Sequence, residues 1–502
     1  MNKIIKKTGI TALALMLLSG CTKNFEEINT NPDALNYSPP ANTIVEVLRN
    51  TAVQFGGDVD GYGTFAGYIV KIQYPDFMSG LIPTNNTYGN RWYACYYNNT
   101  QLKDLLESTE STADANKNAR FIARIWQNYM WSYLTDGWRD VPFTDAFKGT
   151  EEEGQILQPK YDKQEDIYPA VLASLKQVAD EMAQGYGVDP IGKADVIYFV
   201  GETAESLKKE MLLWQKFCNS LRLRMAMRIS GVAPALAKST IEEIAGDPAK
   251  YPVLQTNEEN CEFFYPGAPP YYEPWYDSGI NGNRRNNWGM FDIFIDHMNE
   301  MKDPRIASIA LKANNGEYVG YPNGEKNGPP SLTSVSWIGD RYMNNASGST
   351  PFMRSCETYY ILAEAAMLGY NVKISAADAY EKAVRLSMAD NGVSTANIET
   401  YLAGKGMWNN SKERIWEDMW VALFKENFEA WCLYRRTGVP KTNYPSINSI
   451  YDLKTHNDQP WRLPYPDNAY RYNPENTNAA AKEVVDYVWG KQMWWDKRTG
   501  KF

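Results

Sequence analysis

The stretch Ser411–Pro440, SKERIWEDMWVALFKENFEAWCLYRRTGVP, decides how this chain folds. Ile415, Trp416, Met419, Trp420, Leu423, Phe424, Phe428 and Trp431 recur three or four residues apart, so they share one broad helical face. Ser411 suits an N-cap, although Arg414 stands where a capping box would carry an acid. Gly438 and Pro440 supply the stop. So wide an apolar stripe cannot be covered by one neighbour, and tryptophan fills a core well only among large partners. The spacing therefore predicts a central core helix, with Arg435 and Arg436 at its C-terminal end, where cations suit the dipole.

Working outward, helices are predicted at Pro351–Leu368 and Ser375–Met388, joined by the short link Gly369–Ile374 and hence an antiparallel hairpin. Alanines at 363, 365, 366, 376, 377 and 379 permit close approach, and Ser375 with Asp378 forms a capping box. Glu364, a lone acid among those alanines, needs Arg435 or Arg436 as a partner. Upstream, helical periods run over Thr43–Phe55, Asn98–Glu107, Asn116–Thr135, Asp162–Tyr186 (opened by an Asp162–Glu165 capping box), Leu207–Ile229 and Met290–Glu300. Arg222, Arg224 and Arg228 read as an ion-paired face of the Leu207–Ile229 helix rather than a phosphate patch. A C-terminal helix at Ala479–Val488 is expected to pair with the central one. The fold class is mostly α: stacked helix pairs of the tetratricopeptide type, with long irregular loop regions at 56–97, 251–289 and 313–349.

Composition narrows the function. The chain has 502 residues, 44% of them hydrophobic and 22% charged, a globular profile. Its net charge of −9 argues against nucleic acid as a partner. The chain carries sixteen Trp, 34 Tyr and 17 Phe; a core can absorb many of them, but Tyr and Trp also favour interfaces, where one edge stays wet. Lys3, Lys6 and Lys7 precede the apolar run Gly9–Leu18 and then Leu18-Ser19-Gly20-Cys21, which reads as a lipoprotein signal over 1–20 with lipid attachment at Cys21. Removing the signal takes the net charge from −9 to −12. Residues 21–40 are polar and turn-rich and read as a lipidated tether, followed by a single domain over 41–502. Thr22, in place of the Asp of an inner-membrane retention signal, and the nearby Glu26 and Glu27 favour the outer membrane, at the cell surface.

No cofactor is expected. Six cysteines show no CxxC spacing, and those at 218, 356 and 432 fall in predicted helices as small buried hydrophobes. The two histidines, His297 and His456, are far apart. Asp58 and Asp60 are spaced like the start of a calcium loop, but the remaining ligand positions are missing. No phosphate-binding glycine–lysine signature occurs.

The loop regions interleave aromatic with amide and guanidinium side chains, a composition that suits ligand loops. The candidate ligand residues are Asn86, Trp92 and Tyr93 in the first loop, Trp275, Tyr276, Arg284, Asn287 and Trp288 in the second, and Trp337 in the third. The alternative for each ring is to pack its loop onto the helices. Trp416, Trp420 and Trp431 are core by spacing, while Trp489, Trp494 and Trp495 read equally as core or as a partner-facing cluster.

Six segments in order carry a family resemblance: Asp140–Ala146 (DVPFTDA), Pro159–Tyr168 (PKYDKQEDIY), Trp214–Arg228 (WQKFCNSLRLRMAMR), Ala363–Ala366 (AEAA), Glu429–Pro440 (EAWCLYRRTGVP) and Leu463–Pro466 (LPYP) with Asn473. Behind the lipobox, they resemble the SusD/RagB family of outer-membrane nutrient-binding lipoproteins of Bacteroidota, in its SusD-like branch. The resemblance implies a non-catalytic protein that captures a glycan and passes it to a TonB-dependent, SusC-like transporter. Two alternatives remain open: the same role for peptides or another non-sugar nutrient, and a surface-anchored glycoside hydrolase, for which Asp277 and Asp340 are the carboxylates to inspect.

Overall fold

The computed structural model describes residues 38–59, 61–73, 83–150, 154–323, 329, 331–441 and 459–496. The signal segment, Cys21, most of the tether, Asp60 and His456 lie outside the described residues.

The helices pack largely in chain order. α1 (Pro40–Gly56) lies on α2 (Gly89–Ser108), α2 on α3 (Lys117–Trp138), α3 on α4 (Gln164–Gln184), α4 on α5 (Ala204–Arg228) and α5 on α6 (Pro234–Gly246). After α7 (Asp292–Met301), the tightest pair is the hairpin of α8 (Ser355–Met367) and α9 (Ala376–Asp390). Ala363, Ala365, Ala379 and Ala383 are buried in that pair, and the Ser375 hydroxyl accepts the Asp378 N–H at 3.0 Å, as the capping box predicts. α10 (Thr395–Ala403), α11 (Lys412–Ala422), α12 (Asn427–Thr437) and α13 (Pro474–Lys482) complete the described helices named here. Stacked helix pairs are thus the architecture.

The predicted central helix is two helices. Ser411 caps α11 through the Arg414 N–H at 3.2 Å, and Gly438, at φ 76°, ends α12. Between them Lys425 takes φ 76°, a left-handed conformation that costs a non-glycine residue roughly 1 kcal/mol. No glycine or proline marks this break. It is held from outside, by the Glu273 carboxylate 2.6 Å from the Lys425 ammonium, both groups buried. The broad apolar face persists across the break: Trp420 donates its ring N–H to the Ala66 carbonyl and Trp431 to that of Pro460, each at 2.8 Å. Trp495 and Trp489 are buried and Trp494 partly buried, so the C-terminal rings belong to the core.

Two further expectations are corrected. Asp162 does not cap α4; its carboxylate turns back to accept the N–H groups of Phe143 and Thr144 at 2.9 and 2.8 Å. It therefore pins the DVPF turn, while α4 starts at Gln164 with no side-chain cap. The C-terminal helix stops at Lys482 and packs on the short turn of helix Asp467–Tyr472.

Charges in this core are paired. Arg224 meets Glu357, Arg228 bridges Asp136 and Glu429, Arg222 meets Glu243 at 2.5 Å, and Arg436 takes both oxygens of Glu364 at 2.5 and 2.7 Å. The arginine stripe of α5 is thus an internal ion-paired seam, and Arg436, not Arg435, partners Glu364. Arg435 instead lies over the Trp431 ring, 3.5 Å from its centroid. Cys95, Cys218, Cys261, Cys356 and Cys432 are free and buried.

Two small antiparallel sheets fasten the loop regions to the helices. β1 (Ile69–Lys71) pairs with β3 (Trp288–Met290), and β2 (Cys261–Phe264) pairs with β4 (Ser349–Met353), which rests on α1. The second sheet fixes the start of the segment Phe264–Ser278, which runs on directly from β2.

Candidate ligand-binding site

A cleft of about 810 Å³ opens between the outer face of α1, the segment Lys193–Phe199 and the chain from Phe263 to Ser278. Its walls are aromatic: Phe199, Phe264, Tyr265, Tyr271 and Tyr272, with prolines 266, 270 and 274 between them. Phe264 is the last residue of β2, where the strand pattern turns its ring outward, and it is 66% exposed. Tyr271 is 46% exposed with the Arg49 guanidinium 4.9 Å from its ring centroid, and Tyr272 pairs with Tyr276 at 5.3 Å. Large apolar rings left in water beside arginine, lysine and carboxylate groups are unusual unless they serve a partner. Such a surface offers ring faces to sugar C–H groups and Arg49, Lys193 and Asp277 to hydroxyls.

Asp195 stands behind this wall, buried, and accepts the Trp214 ring N–H at 2.7 Å and the N–H groups of Ile197 and Tyr198 at 3.1 and 2.9 Å. Burial pushes its pKa up to about 6, against the pull of those hydrogen bonds. The loop opposite is anchored by Glu273, which accepts the Tyr276 N–H at 2.9 Å and pairs with Lys425.

Val53, exposed on α1, lines this cleft and also a second, polar hollow of about 310 Å³. The hollow is bounded by Gln54, Asp58, Thr87, Tyr88, Asn90 and Arg91. The two lie side by side along α1, aromatic at the Arg49 end and polar at the Gln54 end, with Val53 between them.

The nine residues nominated from sequence as loop positions scatter, and Trp92 and Tyr93 lie on α2, whose start at Gly89 falls inside the expected loop region 56–97. Tyr276 lies beside the cleft through its contact with Tyr272, while its neighbour Trp275 is 1% exposed, edge-on to Phe424 and under the Lys425 ammonium. Trp288 is buried in β3, and Trp337, partly buried, bridges to Gly289 alongside it. The Asn287 carbonyl accepts the Ile72 N–H at 2.8 Å, tying it to the same sheet, and Arg284 is exposed on the preceding turn. Asn86 donates to Asp467 at 2.6 Å. Trp92 is packed among Trp138, Tyr161 and Tyr465, whereas Tyr93 is 62% exposed; both border a separate apolar groove of about 420 Å³ with Leu157 and Tyr472. Phe264, Tyr271, Tyr272 and Arg49, which line the cleft, are not among the nine. For Tyr271 and Tyr272 the sequence signal is the Pro266–Pro270 run just before them; Phe264, on β2, and Arg49, on α1, carry no such signal.

Asp277 accepts from Asn281 at 2.7 Å and Asp340 pairs with Arg285 at 2.8 Å, each engaged with its own neighbour. Among the described residues no cluster of His, Cys, Asp and Glu is arranged to hold a metal, and no helix is long and apolar enough to cross a membrane.

The arrangement is that of a helical binding protein with an open, ring-lined cleft. A family model, SusD-like, described as "Starch-binding associating with outer membrane", matches residues 35–466, and the chain belongs to that family. Its members are non-catalytic glycan-binding proteins of the outer membrane that work with SusC-like, TonB-dependent transporters. Among solved structures, a chitin-binding SusD homologue from Flavobacterium johnsoniae is 21% identical, with a TM-score of 0.74 over 92% of this chain and 100% of that one. A SusD homologue from Bacteroides uniformis is 25% identical, with a TM-score of 0.74 over 92% of this chain and 100% of its own. A further chitin-binding protein is 24% identical, with a TM-score of 0.76 over 91% and 100%. No curated protein matches the chain by sequence.

Proposed function

We propose that this protein captures a glycan at the cell surface in the ring-lined cleft beside α1 and delivers it to a SusC-like, TonB-dependent transporter, held at the outer membrane by acyl chains on Cys21. One observation carries the choice of site: Phe264 and Tyr271 present exposed rings across an open cleft large enough for several sugar units. The lipobox supports the anchor, with residues 1–20 as the signal and 21–40 as the tether. The two chitin-binding relatives support an oligosaccharide ligand over a peptide. Energy for import would come from the transporter, since capture requires only rings and hydrogen-bonding groups.

A glycan array run beside a peptide panel, followed by titration of the best ligand, tests this reading. Tyr271→Ala and Tyr272→Ala together should weaken glycan binding at least about tenfold. Binding of peptides alone, or unchanged glycan affinity in the double variant, would sink it. For the anchor, metabolic labelling with a fatty-acid analogue should mark the wild type and not Cys21→Ser.

A further inference from the structure

Glu426 stands at the break between α11 and α12, next to Lys425, and is 5% exposed. Neither of its carboxyl oxygens makes a hydrogen bond with a described residue. Two guanidinium groups lie near, Arg354 at 3.3 Å and Arg224 at 3.5 Å, but each has its N–H groups aimed elsewhere. Arg224 donates to both oxygens of Glu357 and lies 3.5 Å from Glu429. Arg354 faces Glu262 at 3.3 Å and Asp390 at 3.8 Å. The Arg354 nitrogen nearest Glu426 donates instead to the Ala422 and Phe424 carbonyls, at 3.3 and 3.2 Å.

Five carboxyl groups therefore crowd two arginines. Arg228 also serves Glu429, and Arg341 serves Asp390. That leaves Glu426, Glu357 and Glu262 to Arg224 and Arg354, three acids for two bases in a buried setting. An unmatched buried carboxylate is relieved by taking a proton. Glu426, which has no aligned donor, is where that proton belongs. Burial pushes its pKa up to about 8; Arg354 and Arg224 pull it down, while Glu357 and Glu262 push it up. Beside it lies a cavity of about 50 Å³, shared with Asp58, Asn427 and Glu429, which has room for water to accept from an acid O–H. The hydroxyls of Tyr62, Tyr68, Tyr129 and Tyr133 around this region are kept neutral by burial.

The junction connects this acid to the cleft. Arg354 closes the end of α11 through the Ala422 and Phe424 carbonyls. Lys425, the next residue but one to Leu423 of that turn, holds Glu273, and Glu273 accepts the Tyr276 N–H. An ionised Glu426 would draw Arg354 off those carbonyls and loosen the turn that places Lys425. We propose that Glu426 carries a proton in the closed junction, and that this proton latches the segment Phe264–Ser278, which is held firmly in mild acid and loosens as the proton is lost. A carboxyl whose folded pKa lies above its ordinary 4.5 stabilises the closed form fully below that value. The contribution is lost as pH rises through about 8. Where opening hydrates Glu426, the open fraction grows up to about tenfold per pH unit between those values and then levels off.

Hydrogen exchange read by mass spectrometry on the full chain, corrected for the pH dependence of intrinsic exchange, tests this from pH 6 to 9. Protection of the segment Phe264–Ser278 should fall at least about tenfold between pH 6 and 8 in the wild type. It should stay flat in Glu426→Gln, which keeps the shape of the neutral acid. Asp195, on the opposite wall, titrates alike in both proteins and cancels in the comparison. Glu262→Gln frees Arg354 to face Glu426 and should move the levelling-off to lower pH, an arm that does not depend on the first variant folding. Infrared difference spectra at pH 7 should show the carbonyl stretch of a protonated carboxylic acid in the wild type and not in Glu426→Gln. Protection that ignores pH in the wild type, an equal fall in Glu426→Gln, an unmoved profile in Glu262→Gln, or no acid carbonyl band would overturn the latch. None of these readouts uses a ligand, so the latch and the glycan site stand or fall separately.

Discussion

Asp195 shows how a single side chain couples the site to the core. It is buried behind the aromatic wall, and its three hydrogen bonds do not offset the loss of hydration, so its pKa rises from 3.8 to about 6. A carboxyl with a folded-state pKa above its unfolded one holds an extra proton in the folded state between those two values. Its contribution to stability is therefore fully present below about pH 4 and declines as pH rises to about 6. The decline from this one group amounts to about 3 kcal/mol at most. Chemical denaturation at intervals from pH 4 to 7 should show the wild type losing stability relative to Asp195→Asn across that window, and a constant difference would exclude the assignment. The amide keeps an oxygen for the Ile197 and Tyr198 N–H groups but cannot serve the Trp214 donor equally well, which adds a pH-independent cost of about 1 kcal/mol.

At the scale of elements, the junction between α11 and α12 helps to hold the segment Phe264–Ser278 through Glu273. Ser411 and Gly438 were legible in the sequence because caps are local chemistry: a hydroxyl for a free N–H, a glycine for a left-handed turn. The break at Lys425 was not, because its cause lies about 150 residues away in sequence, in Glu273. Apolar periodicity passes through the junction unbroken, since both helices face the same core. The pair also ties the helix break to the segment that carries Tyr271 and Tyr272, as Glu273 caps the turn just after them. Lys425→Met removes one member of a fully buried ion pair and leaves the other uncompensated, which costs roughly 3–5 kcal/mol. We expect a lower thermal midpoint together with weakened glycan affinity. The double change Lys425→Met with Glu273→Gln should recover much of the stability and less of the affinity, because the Tyr276 N–H keeps an acceptor while the tie to the helix is gone. Equal recovery of both in calorimetry and titration would show that the pair serves stability alone.

For the molecule as a whole, the division between helical body and loops was readable, and so was the family, because both rest on long patterns. Which rings face solvent was not. Trp275 and Tyr271 belong to the same proline-rich segment, four residues apart, and composition treats them alike. Only the docking of that segment on Phe424 and Lys425 turns Trp275 inward and leaves Tyr271 in water. The two positions should therefore fail in opposite ways. Trp275→Ala opens a cavity in a packed core at a cost of about 3–5 kcal/mol, with a correspondingly lower thermal midpoint. Tyr271→Ala removes a half-exposed ring with no such penalty, within about 0.5 kcal/mol of wild type, and should lose glycan affinity at unchanged stability. Differential scanning fluorimetry and ligand titration on the same two variants separate these outcomes. If Trp275→Ala were as stable as wild type and lost the ligand, the ligand would be reading the ring that the fold encloses, and the cleft beside α1 would be the wrong site.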